Sequence, residues 1–336
     1  MHDIRWFAPN RYCALPVQRL RDTGLDIATE GNAAARLTFL SDAELLREAF
    51  RFSRQHHAPM VANIWDVQPW QVIGGKPDYV IPAGGTLAVL PRLRQRYPGR
   101  PRYYSRVRFV VRNAHRVWAP SRFSQAEIGR WSGRRPEHMP YCYDSDRFSA
   151  SSGWRRPAGP PVVLSISRLS PHKNHGALIR ATALLPVRPR VRIIGSGSEG
   201  AALKALAAEC GVNLQLDERW LTDDEIVSAY LGASVVVCPS RFEGIGVTPL
   251  EGTAMGIPVV ASDIPPHREF AAELATLVPL DDDTAMADAI SAALGRPESL
   301  PAPRLLHEMT IESCAARMAR AFEDLLRQGS RSGRPA

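Results

Sequence analysis

The chain has 336 residues, 45% hydrophobic and 23% charged, which is room for two ordinary domains and excludes a disordered or fibrous chain. No apolar run reaches the roughly 20 residues that span a bilayer, and MHDIRWFAPN lacks the form of a secretory leader, so a cytoplasmic location is expected. The net charge of +8 is uneven: residues 1–160 carry 25 Lys and Arg against 13 Asp and Glu, and the remainder carries 17 against 21.

Alternation of short apolar runs with helical periodicity begins at once. A strand is expected over 3–9, a helix over 15–24 ending at Gly24, and a second strand over 26–31. Ser41 three residues before Glu44 reads as a capping box that opens an amphipathic helix over 41–57. Strands at 60–65 and 78–83 follow, then a helix over 103–113, a strand at 116–121 and a helix at 124–131. Residues 91–116 hold nine arginines and no acid. Such a cluster suits an anionic surface, a phosphorylated acceptor or nucleic acid, or else is a solvated face. Lysine occurs only at Lys76, Lys173 and Lys204, so arginine is this chain's default cation.

The stretch 149–161, rich in Ser, Gly and Pro, reads as an exposed linker between residues 1–148 and 162–306. Beyond it come strands at 161–167, 191–195, 213–216, 234–240 and 258–262. Helices at 175–185, 200–210, 223–231 and 248–255 alternate with them, and a last amphipathic helix runs to 328 within 307–328. Residues 329–336 are expected to be a disordered tail. Strands separated by helices in both halves predict an α/β protein of two parallel-sheet domains, with ligands at the carboxyl ends of the strands. Cys13, Cys142, Cys210, Cys238 and Cys314 form no C-x-x-C and read as reduced, buried thiols, with no metal site expected.

Three motifs carry chemistry. Gly195-x-Gly197-x-x-Gly200 follows an apolar run and precedes a helical pattern, with Asp217 and Glu218 about twenty residues on. That is the form of a dinucleotide fingerprint, although it begins the second strand–turn–helix of its domain and the fingerprint opens the first. Arg168 and Lys173 flank the end of the preceding strand, where a cation pair can neutralise a leaving diphosphate. Glu243 and Glu251 bracket a turn, Gly244-Ile245-Gly246, whose N–H groups can approach a phosphate where a helix begins. Asp144-Ser145-Asp146 and the acidic run at 280–283 lie in loops away from these.

Together, R-x4-K, the glycine turn and EGIGVTPLE before GIPVVAS resemble the donor half of glycosyltransferase family 4 (glycosyl transferases group 1) over residues 162–270. AHRVWAPSRFSQAEI and MPYCYDSDRF extend the resemblance backwards, with Tyr141 and Cys142 where Asn-Gly is usual. The resemblance implies a GT-B fold, two Rossmann-like domains facing each other across a cleft, and retaining, metal-independent sugar transfer from a nucleotide sugar. It implies that Arg168 and Lys173 bind diphosphate, that Glu243 binds the sugar, and that Glu251 binds ribose. Gly195, Ser196, Gly197, Gly244, Ile245, Gly246 and Val247 would line the donor site, with Trp220 or Leu221 near the base. The glycine-rich loop usual after the first strand is replaced by PNRYCALP, and Ala83 stands where a histidine is common.

Acceptor contacts are therefore sought among Asn10, Arg11, Tyr12, Trp65, Asp66, Gln68 and Gly84, where aromatic rings can stack on sugars and a carboxylate can orient a hydroxyl. Trp65 equally reads as a core aromatic. A small soluble acceptor is expected from the compact first domain. The alternatives are an anionic lipid-linked acceptor docked through 92–116, a catalytically silent nucleotide-sugar binder and a nucleic-acid-binding module. The last lacks any recognised motif, so no nucleic-acid partner is expected.

Overall fold

The computed structural model describes residues 1–8, 11–41, 45–65, 108–149, 154–219, 221–273, 275–296 and 304–332. They divide into two units. The first comprises 1–65 and 108–144 together with 308–332, and the second runs from Ser145 to His307.

The first unit is a six-stranded parallel sheet of β1 (His2–Phe7), β2 (Ile27–Ala28), β3 (Ala35–Leu40), β4 (Met60–Asn63), β5 (Arg116–Ala119) and β6 (Glu137–His138). Its order is β2-β1-β3-β4-β5-β6. β3 pairs with both β1 and β4 and has four successive buried residues, Leu37 to Leu40. A strand buried on both faces reads as a continuous apolar run rather than an alternation. The expected capping box is not formed: the helix Leu46–Gln55 starts without a side-chain cap. Ser41 is buried, and its hydroxyl donates to the Phe7 carbonyl, tying the end of β3 to the end of β1. Glu44 lies outside the described residues, as do the strand expected at 78–83 and most of 91–116.

The long helix Ile311–Ser332 runs past the expected boundary at 328 and belongs to the first unit. Its Phe322 ring lies 5.3 Å from Phe39 and 5.2 Å from Trp118, and Trp6 stacks on Phe39 at 4.2 Å. Each of these four aromatics is fully buried. At about 150–250 Å² of buried surface apiece, they dominate the energetics of this layer.

In the second unit β7 (Val162–Ile166), β8 (Arg190–Ile194), β9 (Leu214–Asp217), β10 (Val235–Cys238), β11 (Val259–Ser262) and β12 (Thr276–Val278) form a parallel sheet. Its order, β12-β11-β10-β7-β8-β9, is that of a doubly wound dinucleotide-type domain, reversing direction between β7 and β10. The stretch expected to be exposed linker is partly core: Trp154 is buried and its indole donates to the Ala233 carbonyl at 3.1 Å. Phe148, assigned from sequence to the first domain, packs edge-on against Tyr230 of the second at 5.2 Å.

Candidate functional site

The reversal between β7 and β10 puts two loops side by side. After β7 the chain makes a short 3-10 turn, Pro171–Lys173, and enters the helix His175–Ala183 through Asn174 at φ 55°. After β10 it turns at Ser240 and Glu243 and enters the helix Val247–Ala254 through Gly246 at φ 80°. The Arg241 N–H donates to the His172 carbonyl at 2.7 Å, and Thr248 Oγ1 to the Ile166 carbonyl at 3.1 Å, so the loops are clamped by backbone as well as side chains.

Lys173 and Glu243, seventy residues apart, meet there: Nζ donates to Oε1 at 2.6 Å, and Ser240 Oγ donates to the same oxygen at 2.7 Å. The two side chains are only 13% and 14% exposed. Burial pushes the Glu243 carboxyl up, but Lys173 and the neighbouring His267 outweigh it, and the group lies below the ordinary carboxylate range. Glu243 is therefore an ionised carboxylate at neutral pH. Arg168 is exposed and makes no ion pair with a described residue. Gly244, Ile245 and Gly246 are buried and Val247 half-buried.

Glu251, one turn into its helix, is 5% exposed, and its Oε2 accepts from the buried Tyr230 hydroxyl at 2.7 Å. Removing that donor costs the carboxyl a hydrogen bond worth about 0.5–1.5 kcal/mol. If Glu251 holds the ribose, Tyr230→Phe is expected to raise KM for the donor several-fold or more while leaving kcat nearly unchanged. Steady-state kinetics with donor varied check this, and a fall in kcat at constant KM would remove Tyr230 from ribose positioning.

The glycines of the 195–200 turn have structural causes. A Cβ on Gly195 would overlap the Ser167 carbonyl oxygen, and one on Gly197 the Leu169 carbonyl oxygen. The Leu169 N–H donates to the Ser196 carbonyl at 2.9 Å, so this turn is zipped to the loop that carries Arg168. A Cβ on Gly200 would overlap the carboxylate of Glu218, which pairs with Lys204. Asp217 is held by Arg192 at 2.7 Å. The two acids that the dinucleotide fingerprint would place on a ribose are thus engaged in ion pairs. Gly195→Ala is expected to cost about 1–3 kcal/mol through overpacking. Urea unfolding measures it; an unchanged midpoint would mean that the Ser167 carbonyl yields freely.

Cys238, Glu243 and His267 come together although sequence reading found no metal-ligand spacing: their ligand atoms lie within 4.8 Å of one another, the one such group among the described residues. Burial pushes the Cys238 thiol up to about 12, so it is neutral. His267 is fully buried, and burial also lowers its pKa.

In the first unit, Arg11 pairs with Asp144 at 3.1 Å and Tyr12 lies in a 3-10 turn, Tyr12–Ala14. Trp65 is half-buried, its indole donating to the Ser41 carbonyl at 2.7 Å and its ring meeting Tyr141 edge-on at 4.4 Å. That tethers Trp65 as part of the wall of the unit. Leu221 is half-buried and Ser196 exposed. Asn10, Asp66, Gln68, Gly84 and Trp220 lie outside the described residues.

Each unit is a doubly wound parallel sheet, and two such units are the pattern of the GT-B fold. Residues 146–303 match the family model for glycosyl transferases group 1. It is 33% identical to the GDP-mannose-dependent alpha-(1-6)-phosphatidylinositol monomannoside mannosyltransferase of Mycolicibacterium smegmatis, over 47% of this chain and 46% of that protein. It is 32% identical to the D-inositol 3-phosphate glycosyltransferase of Nocardia farcinica, over 45% of this chain and 36% of that one. The matches take in less than half of either relative. The fold as a whole is similar to the solved sucrose-phosphate synthase of Thermosynechococcus elongatus, with a TM-score of 0.69 at 19% identity, covering 98% of this chain and 100% of that one.

Proposed function

We propose that the protein transfers a sugar from a nucleotide-sugar donor to an acceptor hydroxyl, with the donor seated at the switch point of the second unit. The observation that carries this reading is the Lys173–Glu243 pair beside the start of the helix Val247–Ala254. A free carboxylate there would repel a diphosphate; paired with Lys173, it leaves the pocket able to accept one. In this reading the diphosphate takes Lys173 and Arg168, and backbone N–H groups at 244–247 add the positive end of the helix. Glu243, released from Lys173, accepts from hydroxyls of the sugar, and Glu251 from the ribose. The cations neutralise the charge that builds on the departing nucleotide, so no metal is needed for that step. Retention of anomeric configuration is part of the proposal and rests on the family resemblance.

A thermal-shift screen of GDP, UDP, ADP, TDP and NAD on the native chain, Glu251→Ala and Lys173→Ala tests it. A ligand that binds the native state raises the melting temperature by mass action. Stabilisation by one nucleoside diphosphate, weakened in both variants, is expected. Stabilisation by NAD alone would overturn the reading, and donor binding without turnover would leave a silent binder. Activity unaffected by EDTA, and a product of unchanged anomeric configuration by NMR, are the expected outcomes for metal independence and retention.

The acceptor we propose is a small soluble polyol-like molecule. A lipid-linked acceptor is the second reading, and one surface favours it. The helix Leu46–Gln55 exposes Arg47, Arg51 and Arg54, and beside it Phe109, 49% exposed, stacks edge-on against Phe50 at 5.2 Å. Arginines around an exposed aromatic suit an anionic interface. No helix among the described residues is long and apolar enough to cross a membrane. Salt-sensitive sedimentation with anionic vesicles, lost in Arg47→Glu/Arg51→Glu, is the result that would favour the lipid-linked acceptor. No sedimentation would leave the soluble one.

A further inference from the structure

We infer that Cys238, Glu243 and His267 form a binding site for a thiophilic divalent cation of the zinc class, whose occupation shuts the donor site. Three features point to a cation. The His267 ring donates Nδ1–H to the Ser262 carbonyl at 2.7 Å, which fixes the tautomer and leaves a lone pair on Nε2. That nitrogen stands 3.8 Å from Cys238 Sγ. Zinc binds imidazole at about 2.0–2.1 Å and thiolate at about 2.3 Å, so one ion bridges such a gap at an open, near-tetrahedral angle. A backbone carbonyl on the far nitrogen is also the usual outer support of a metal-bound histidine.

The second feature is space. Gly246 lies against the ring, and a Cβ there would stand 3.0 Å from Nε2 and 2.8 Å from Cδ2. The residue is held at φ 80°, which favours glycine, so the approach to the lone pair is kept clear of a side chain. The third is the donor set. One sulfur, one imidazole nitrogen and one carboxylate oxygen, mutually within 4.8 Å, suit zinc and its neighbours in the first transition row. Magnesium and calcium call for oxygen alone. The fourth position is left to water.

Binding releases the Cys238 thiol proton to solvent and recruits Glu243 away from Lys173. The dication competes with the Lys173 ammonium, now at 2.6 Å, for the charge of this one carboxylate. The ion therefore takes the carboxylate that the proposed sugar contact requires. Its effect on turnover is inhibition competitive with donor, and this competitive part alone rests on the donor reading above.

Cobalt titrated into the full-length chain, purified in EDTA and then freed of it, tests the site without any activity measurement. One equivalent is expected to give a thiolate-to-cobalt charge-transfer band in the near ultraviolet, removed by added zinc. Cys238→Ser should abolish the band, and His267→Gln should weaken binding by more than the roughly 10–100-fold that losing an outer support costs. Glu243→Gln, which leaves both softer ligands in place, should weaken it as well, and it decides the matter if either other variant fails to fold. A native chain without the band, or a band that survives in Cys238→Ser or is unmoved in Glu243→Gln, overturns the inference. Donor competing with cobalt is the expected linkage. If the band forms and no nucleotide sugar competes, the mutual exclusion proposed here is overturned and the cation site stands. If no nucleotide sugar binds even the metal-free chain, it is the functional proposal that fails.

Discussion

Replacing Lys173 with alanine is expected to lower kcat/KM for the nucleotide sugar by about 100- to 1,000-fold, the range for removing one group that stabilises a developing anion. The same change strands Glu243, a carboxylate only 14% exposed, whose remaining donor among the described residues is Ser240. Breaking a buried pair from one side costs about 3–5 kcal/mol, because the other charge is left uncompensated. The partial exposure of both side chains places the expected loss toward the lower end. The two effects separate in the pair Lys173→Met/Glu243→Gln. Without an orphan charge, its urea midpoint should recover toward that of the native chain while transfer stays abolished. A double variant as unstable as Lys173→Ala would mean that the pair contributes through packing. A single variant with unimpaired kcat/KM would remove Lys173 from the diphosphate site.

The second large effect is on pH. His175 opens the helix after β7, fully buried, with Nε2 3.0 Å from Ser167 Oγ and Nδ1 3.4 Å from Ser165 Oγ. Burial, reinforced by the nearby Lys173 and His172, pushes its pKa down to about 4. In the unfolded chain it titrates near 6.5. Between those values the unfolded chain binds a proton that the folded chain refuses. The contribution to stability is therefore complete above about pH 6.5 and is lost as pH falls toward 4, by about 3 kcal/mol in all. Glu243, depressed in the folded state, loses its contribution in the same direction at still lower pH. Urea midpoints from pH 7 to 4 should fall steeply for the native chain and less so for His175→Gln, which keeps the hydrogen-bonding capacity and cannot titrate. Parallel curves would show that other groups carry the acid sensitivity.

Sequence reading recovered most strands of the second unit because Val- and Ile-rich runs such as 235–238 are separated by strongly periodic helices. It missed β3, where ARLTFL follows an alanine-rich stretch and alternates only weakly, although that strand pairs with two neighbours. It missed β12, three residues long at the sheet edge, and the helix Asp283–Leu294. Arg168, Lys173, Glu243 and Glu251 could be singled out because their spacing is local. Tyr230 could not, since its role comes from meeting a helix twenty-one residues away. Cys238 and His267 were likewise invisible as a pair, sitting on the ends of different strand–helix steps. The 195–200 glycines read from sequence as lining the donor site, and the structure supplies a nearer reason for Gly195 and Gly197 in the Ser167 and Leu169 carbonyls.

The last helix has a consequence for synthesis. The first unit begins at residue 1 but is completed by Phe322, which arrives only after the whole second unit has been made. A nascent chain therefore carries Trp6, Phe39 and Trp118 without their covering ring while a continuous, independently wound sheet forms behind them. Domains usually mature in the order they leave the ribosome. Here the order is inverted: the amino-terminal unit is the last to close, and until it does its aromatic layer lacks its cover.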